Sequence, residues 1–158
     1  MDTITTTGNV NVGGLVVEPN RPCFCAYSTT SYVQSTAGEN IKYDTIYFDT
    51  TSSYNTSTFE YTIPITGNYI CYYSFCWIEG TSAVIRLDKN NVQQDRVVLS
   101  VDTTSGNHYY GFVDNDTAGA KGPCVANDTI RIYLQGGRIR TFGFSGSPRN
   151  SFGGFLIG

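Results

Sequence analysis

The single histidine is the first side chain to consider for chemistry, because imidazole is the commonest general base in enzymes. His108 lies in the run Gly106-Asn107-His108-Tyr109-Tyr110, and the upstream Ser105 lacks the surroundings of a nucleophile elbow. The sequence also has no P-loop, no GxGxxG and no HExxH motif. We therefore predict that the protein is not an enzyme and that His108 is a strand-end residue with a polar tip.

The acidic stretch Asp114-Asn115-Asp116 offers oxygen ligands of the kind that calcium prefers. It lacks the remaining ligand spacing of an EF-hand loop. The sequence leaves calcium binding open on this basis, and it predicts no other cofactor.

Five cysteines are present, and an odd number cannot all pair within one chain. Cys71 and Cys76 are five residues apart on one expected strand, a span of about 16 Å, whereas a disulfide needs Cα atoms within about 7 Å. Cys23 and Cys25 form a CxC pair without the second pair that a zinc site requires. The sequence thus predicts free thiols and a reducing compartment during assembly.

Two stretches combine residues that can bind a partner without packing in a core. They are His108-Tyr109-Tyr110 through Asp114-Asn115-Asp116, and Gln135-Gly136-Gly137 with Arg138 and Arg140. Tyrosines offer flat apolar area with a polar tip, and carboxylates and amides form hydrogen bonds with hydroxyls. The guanidinium group of arginine forms bidentate hydrogen bonds with carboxylate or sulfate. We predict a surface for a glycan or a protein built from these two loops. The alternatives are solvated loops, and arginines paired with acidic residues on neighbouring strands.

These loops need a scaffold, and the sequence supplies one with a period of two residues. Between Tyr61 and Trp77 the odd positions are nearly all apolar and the even ones mixed, with an interruption at Gly67-Asn68. This alternation is typical of strands, and further alternating runs recur every 8–15 residues or so between Gly, Asn and Asp clusters. Pro64 places an irregularity or an edge in the first of these strands. We predict an all-β protein, a sandwich or jelly roll.

Bulk composition excludes several classes of protein. The net charge of −3 argues against nucleic acid, which needs a basic stripe. No run approaches 18 apolar residues, so no membrane span is expected. The first ten residues have neither a basic nor an apolar region, so we expect no signal peptide.

The spacing of aromatic residues carries a family resemblance. It is similar to the signature of complement C1q-like domains, which are related to the TNF-like fold, and it covers roughly Pro22 to Gly158. Tyr43 and Tyr61 stand where that family usually has Phe, and Cys71 stands where it usually has an aromatic residue. The positions that match are Tyr43, Asp49, Tyr54, Tyr61, Gly67, Tyr69, Tyr73, Phe152 and Phe155.

The resemblance implies a jelly-roll β-sandwich that forms a homotrimer, with these positions in the core or at the trimer contacts. Residues 21–158 would be the head, and residues 1–20 a stalk-like leader or linker. The leader is short and almost uncharged, and its apolar and polar residues alternate. Segments such as Thr7-Gly8-Asn9-Val10-Asn11-Val12 look like those of viral and phage fibre shafts.

Three functions follow as hypotheses. The first is the receptor-binding head of a viral or phage fibre on the virion surface, attaching to a host surface glycan or protein. The second is a secreted or surface C1q-like recognition protein, which would be extracellular. The third is a capsid decoration or trimerisation knob without a ligand.

Overall fold

The computed structural model of the protein describes residues 21–29, 32–34, 37–77, 82–99, 108–114, 123–141 and 150–157. Thirteen strands and no helix occur in these ranges. In the same ranges, no helix is long or apolar enough to cross a membrane. The strands are β1 Cys23–Tyr27, β2 Tyr32–Gln34, β3 Glu39–Asn40, β4 Thr45–Asp49, β5 Tyr54–Asn55, β6 Glu60–Thr62, β7 Tyr69–Trp77, β8 Ala83–Lys89, β9 Val92–Leu99, β10 His108–Asp114, β11 Thr129–Gly137, β12 Ile139–Thr141 and β13 Ser151–Leu156.

The strands form two antiparallel sheets. The first sheet has the order β2-β12-β7-β13-β1-β4, and β10 also pairs with β7. The second has the order β5-β6-β11-β8-β9, with β3 also paired to β11. The predicted jelly-roll β-sandwich is confirmed. The predicted leader, residues 1–20, lies outside the described residues.

The core lies between the sheets and follows the alternation of the sequence. On β7 the side chains of Tyr69, Cys71, Tyr73 and Phe75 are buried, as the odd-numbered face predicted. On the second sheet, β8 and β11 bury alternate aliphatic residues in the same way. Successive side chains of a strand point to opposite faces, so this burial fixes the register of both sheets.

Stacked aromatic rings join the two sheets at the centre of the core. The ring of Phe24 on β1 lies 3.9 Å from that of Tyr61 on β6 and is nearly parallel to it, at 10°. The Phe152 ring of β13 meets Phe24 edge-on at 4.9 Å. Because β1 and β13 belong to the first sheet and β6 to the second, these contacts hold the layers together.

The run Lys89-Asn90-Asn91 predicts a turn between two strands, and the structure confirms it. Asn90 and Asn91 have φ angles of 50° and 66° and connect β8 to β9. Two left-handed residues make the tight hairpin that suits the twist of paired strands, and asparagine tolerates this conformation well. Strand β9 begins at once at Val92, several residues before the alternation that begins at Val97.

Two predicted details need adjustment. Ile65 is 50% exposed, so the apolar face ends at Ile63; β6 stops at Thr62, and Pro64 follows it without an N–H to donate. The segment from Ser28 to Asn40 is polar and has Gly38, which predicts a loop or an irregular edge; it contains β2 at the edge of the first sheet and the short β3.

Candidate functional site

The predicted binding residues Tyr109, Tyr110 and Asp114 lie in a strand. They belong to β10, which pairs with β7 along its whole length, from His108 opposite Cys76 to Asp114 opposite Ile70. Strand residues rise about 3.3 Å each, so Tyr109 and Asp114 are roughly 16 Å apart. The structure therefore places Tyr109 and Asp114 at opposite ends of the strand. Asn115 and Asp116 lie outside the described residues.

The predicted arginines adjoin the His108 end of β10. Arg140 on β12 pairs with Cys76 of β7, and Cys76 pairs on its other edge with His108. Two strand spacings separate Arg140 from His108, which is about 10 Å. Arg138 is exposed in the connection between β11 and β12, where its backbone N–H donates to the carbonyl of Ser82 at 3.1 Å. The chain thus brings the two arginines near Tyr109 and leaves Asp114 at the far end.

The sequence left calcium binding open at residues 114–116. Within the part of the chain that the structure describes, no three His, Cys, Asp or Glu side chains are grouped as a metal site would need. Calcium binding by Asp114, Asn115 and Asp116 therefore stays a prediction.

Most of the aromatic signature forms the core. The buried members are Tyr43, Tyr54, Tyr61, Tyr69, Tyr73 and Phe152. Asp49 organises the turn before β5, because its carboxylate accepts the backbone N–H groups of Thr51, Ser53 and Tyr54 at 3.1, 2.7 and 2.7 Å. Gly67 forms an isolated bridge with Cys124 just before β7 begins.

The two tyrosines that stand where the family usually has phenylalanine have partners for their hydroxyls. The Tyr43 hydroxyl donates to the carbonyl of Ser74 at 3.1 Å, and the Tyr61 hydroxyl lies 3.3 Å from that of Thr51. Burial raises the pKa of Tyr61 above its usual range, although the hydrogen bond with Thr51 acts in the opposite direction. A buried hydroxyl is costly without a partner, so these bonds explain how the core accepts Tyr in place of Phe.

Phe155 does not lie in the core, because 42% of it is exposed in the single chain, and this leaves the trimer contacts as its predicted place. It is three residues after Phe152, and with a period of two the pair must face opposite sides of β13. Phe152 points into the sandwich, so Phe155 points out of the first sheet.

Phe155 belongs to a largely apolar surface that we call the outer aromatic face. Pairing across the sheet sets it in two rows: Phe48, Cys25, Gly153 and Tyr72 in one, and Cys23, Phe155 and Ile70 in the other. Phe48 and Phe155 are each 42% exposed, whereas Phe24 on β1 and Cys71 on β7 alternate with residues of these rows and are buried in the core. A bulge between Cys25 and Ala26 sets Tyr47, 71% exposed, beside this face, where its ring packs edge-on against Phe48 at 5.9 Å.

Tyr72 lies flat across this face because Gly153 has no side chain. A Cβ at Gly153 would come within 2.3 Å of the Tyr72 hydroxyl and 2.7 Å of the Phe24 carbonyl. Tyr72 also hydrogen-bonds to Cys25. Burial raises the pKa of the Cys25 thiol and that bond lowers it, with a net increase. The thiol therefore stays protonated and unreactive on this face at neutral pH.

Sequence analysis missed a second surface at the β5–β6 hairpin. Two open cavities of about 510 and 330 Å³ flank the hairpin, the first lined by Ser52–Thr56 and Thr62, the second by residues that include Thr58 and Phe59. The sequence signal is a run over 50–58 in which small hydroxyl and amide residues surround Tyr54.

Comparisons with known proteins give one family match and two solved structures of similar fold. The family profile described as C1q domain matches residues 23–157. Among solved structures, the globular domain of zebrafish complement 1qA protein aligns with a TM-score of 0.55 at 17% identity, over 87% of this chain and 98% of that one. The TNF protein Eiger from S. frugiperda aligns with a TM-score of 0.56 at 12% identity, over 87% and 91%. No curated protein matches the sequence.

Proposed function

Because this chain belongs to the C1q domain family, we propose that it is a trimeric recognition module. More specifically, we propose that it is the receptor-binding head of a viral or phage fibre on the virion surface. Its partner would be a host surface glycan or protein. The observation that carries the trimer is the outer aromatic face, and the leader sequence supports the fibre.

The outer aromatic face supports self-association on physical grounds. A sheet surface that presents Phe48, Tyr72 and Phe155 in adjoining rows exposes contiguous apolar area, which monomeric proteins rarely do. The residues named in the two rows are uncharged, and the second row continues from Ile70 to Asp114 on β10. Covering this face with a second copy would bury aromatic rings, the residues most enriched at the centre of subunit contacts.

Light scattering tests the trimer. The chain has a mass of 17.3 kDa, so the assembly should weigh about three times as much at micromolar concentration. Phe155→Asp should give a folded chain of monomer mass, because a charge on this face opposes burial by a partner. The matched control is Val92→Asp, since Val92 is 62% exposed on the β8–β9 hairpin of the other sheet. A parent protein of monomer mass would refute the trimer.

The proposed ligand contacts start from the residues that the fold brings together. Tyr109 and Arg140 lie two strands apart near one end of the first sheet, and Arg138 lies beside Arg140. The guanidinium groups of Arg138 and Arg140 suit a sugar ring that bears a carboxylate or sulfate, or an acidic protein surface. Asp114 and Asp116 would be a separate contact.

Cell binding by the intact trimer tests these contacts. The double variant Arg138→Ala with Arg140→Ala should reduce binding, and Asp114→Ala with Asp116→Ala is the comparison at the other end of β10. If both variants bind host cells as the parent does, ligand recognition by these residues is refuted. If the parent binds no cells at all, the remaining hypothesis is a trimerisation knob without a ligand.

The alternative of a secreted or surface recognition protein is favoured by family membership, since C1q domains are typically extracellular. Four cysteines in the described part of the chain are free thiols, which favours assembly in a reducing compartment instead. Sequencing of the full-length gene decides between them: a fibre shaft upstream supports the viral head, and a signal peptide or collagen repeat supports the secreted protein.

A further inference from the structure

The β5–β6 hairpin, residues 54–62, separates the two cavities already described. In the larger one, of about 510 Å³, every lining residue is uncharged, and most carry a hydroxyl or an amide. The smaller one, of about 330 Å³, adds the anion Glu39 and the cations Lys42 and Arg131 to Thr58 and Phe59. Both volumes lie in the range of sites that bind small molecules.

The backbone at both cavities is strained. Ser52 lines the larger cavity with a φ of 53°, and Phe59 lines the smaller with a φ of 59°. Left-handed conformations are uncommon outside glycine, and for a bulky aromatic residue they are a genuine outlier. Strain of this kind persists only where the surroundings enforce it, and it concentrates at ligand sites.

Hydrogen bonds enforce the strained hairpin. The Asn55 side-chain oxygen accepts the backbone N–H groups of Ser57 and Thr58 at 2.8 and 3.2 Å, while its carbonyl accepts that of Phe59 at 2.7 Å. From the neighbouring strand β3, the Asn40 amide donates to the carbonyl of Thr58 at 2.8 Å. The walls of both cavities are therefore formed in advance, which lowers the entropy cost of binding.

From this geometry we infer that the β5–β6 hairpin is a saccharide-binding site, with one sugar unit on each side. The ligand class is a neutral or N-acetylated oligosaccharide. Hydroxyls and amides both donate and accept, as sugar hydroxyls do, so the uncharged lining of the larger cavity satisfies a neutral sugar without burying a charge. The smaller cavity offers polar and charged groups of both signs to the second sugar. The inference rests on the proposed recognition function and moves the glycan contact from the first sheet to the second.

Other ligand classes fit this hairpin less well. The larger cavity has no charged lining residue, so it cannot neutralise a phosphate or hold a metal ion. In the smaller cavity the guanidinium of Arg131 is already engaged by Glu60 at 3.7 Å and Asp88 at 3.3 Å. An apolar ligand would leave the hydroxyls of the lining without partners.

Three identical substitutions at consecutive exposed positions test the site. Thr56→Arg projects a long side chain at the larger cavity and Thr58→Arg at the smaller, whereas Ser57 lines neither and Ser57→Arg is the control. The probe is an array of defined oligosaccharides with neutral, N-acetylated, sialylated and sulfated members, used with the full chain. Binding to the neutral and N-acetylated members should fall at least about tenfold for Thr56→Arg and Thr58→Arg and stay within about twofold for Ser57→Arg. The three melting temperatures should agree, since exposed substitutions change stability little.

The outcomes separate this site from the proposed function. If the parent binds saccharides and the three variants bind equally well, the site is overturned and recognition stands. If the parent binds cells but no saccharide, or only sialylated and sulfated ones, the inference fails and the first-sheet contacts or a protein ligand remain. If the parent binds neither cells nor the array, both the site and the recognition function fail.

Discussion

Replacing Gly153 by alanine is the sharpest test of how the outer aromatic face is built. The new methyl carbon would lie 2.3 Å from the Tyr72 hydroxyl, and no real contact of this type is so short. The Tyr72 ring can rotate away, but the methyl would also lie 2.7 Å from the backbone carbonyl of Phe24 on the paired strand. That carbonyl cannot move without shifting β1 against β13, so we expect overpacking to cost about 1–3 kcal/mol.

The assay is thermal unfolding combined with light scattering. In a domain of this size each kcal/mol lowers the melting temperature by about 2–4 °C, so Gly153→Ala should lower it by roughly 2–12 °C. Displacing Tyr72 also breaks its bond with Cys25 and disturbs the packing of the outer aromatic face. The trimer should therefore dissociate at a higher protein concentration than the parent trimer does. The control is Gly136→Ala, because no heavy atom lies within 4 Å of a Cβ there. Equal melting temperatures for the two variants would refute the reasoning.

Three further outcomes are expected. Tyr69→Ala should destabilise the fold by about 3–5 kcal/mol, since Tyr69 is buried at 1% exposure; a melting temperature within a degree or two of the parent would contradict its place in the core. Reductant should leave the melting temperature unchanged because Cys23, Cys25 and Cys71 are free thiols, and a fall of more than about 5 °C would indicate a disulfide. The free energy of unfolding should fall above about pH 9. Burial raises the pKa of the Cys25 thiol above 9.0 in the folded chain, so the unfolded chain loses this proton at a lower pH. The stability that this thiol contributes is therefore present below pH 9 and is lost as the pH rises above it. Cys25→Ala should make this fall shallower in chemical denaturation, and an unchanged slope would contradict the burial of this thiol.

The sequence predicted those parts of the fold that depend on local alternation. The β7 face, the Asn90-Asn91 turn and the aromatic core follow from periods and residue types that act over a few positions. The exposure of Phe155 was predictable from its odd spacing to Phe152, and the family resemblance led us to place both residues together in one set. Strand pairing was not predictable, because which strands adjoin depends on contacts between distant segments. For this reason the separation of Asp114 from Tyr109 and the proximity of His108 to Arg140 emerge only from the register.

The outer faces of the two sheets differ in a way that assigns each a role. On the second sheet, Asp88 is fully buried on a face of charged side chains, where Arg86 bonds to it at 2.6 Å and Arg131 at 3.3 Å. Both guanidinium groups also lie over the Tyr133 ring, at 4.8 and 4.7 Å from its centre.

The charges of these ion pairs offset one another, so the outer face of the second sheet is compatible with water and needs no partner. The first sheet has the reverse composition, with Phe48, Tyr72 and Phe155 in place of ion pairs. A subunit contact on the first sheet leaves the second exposed, and with it the β5–β6 hairpin, whose strands belong to that sheet.

Trimer formation and saccharide binding would therefore use different sheets, and Phe155→Asp should abolish the trimer while each chain keeps its intrinsic affinity for sugar. What the monomer should lose is the avidity of three linked sites, so binding to a dense array should weaken more than binding to free oligosaccharide in solution. An equal loss in both formats would mean that the site extends across the subunit contact.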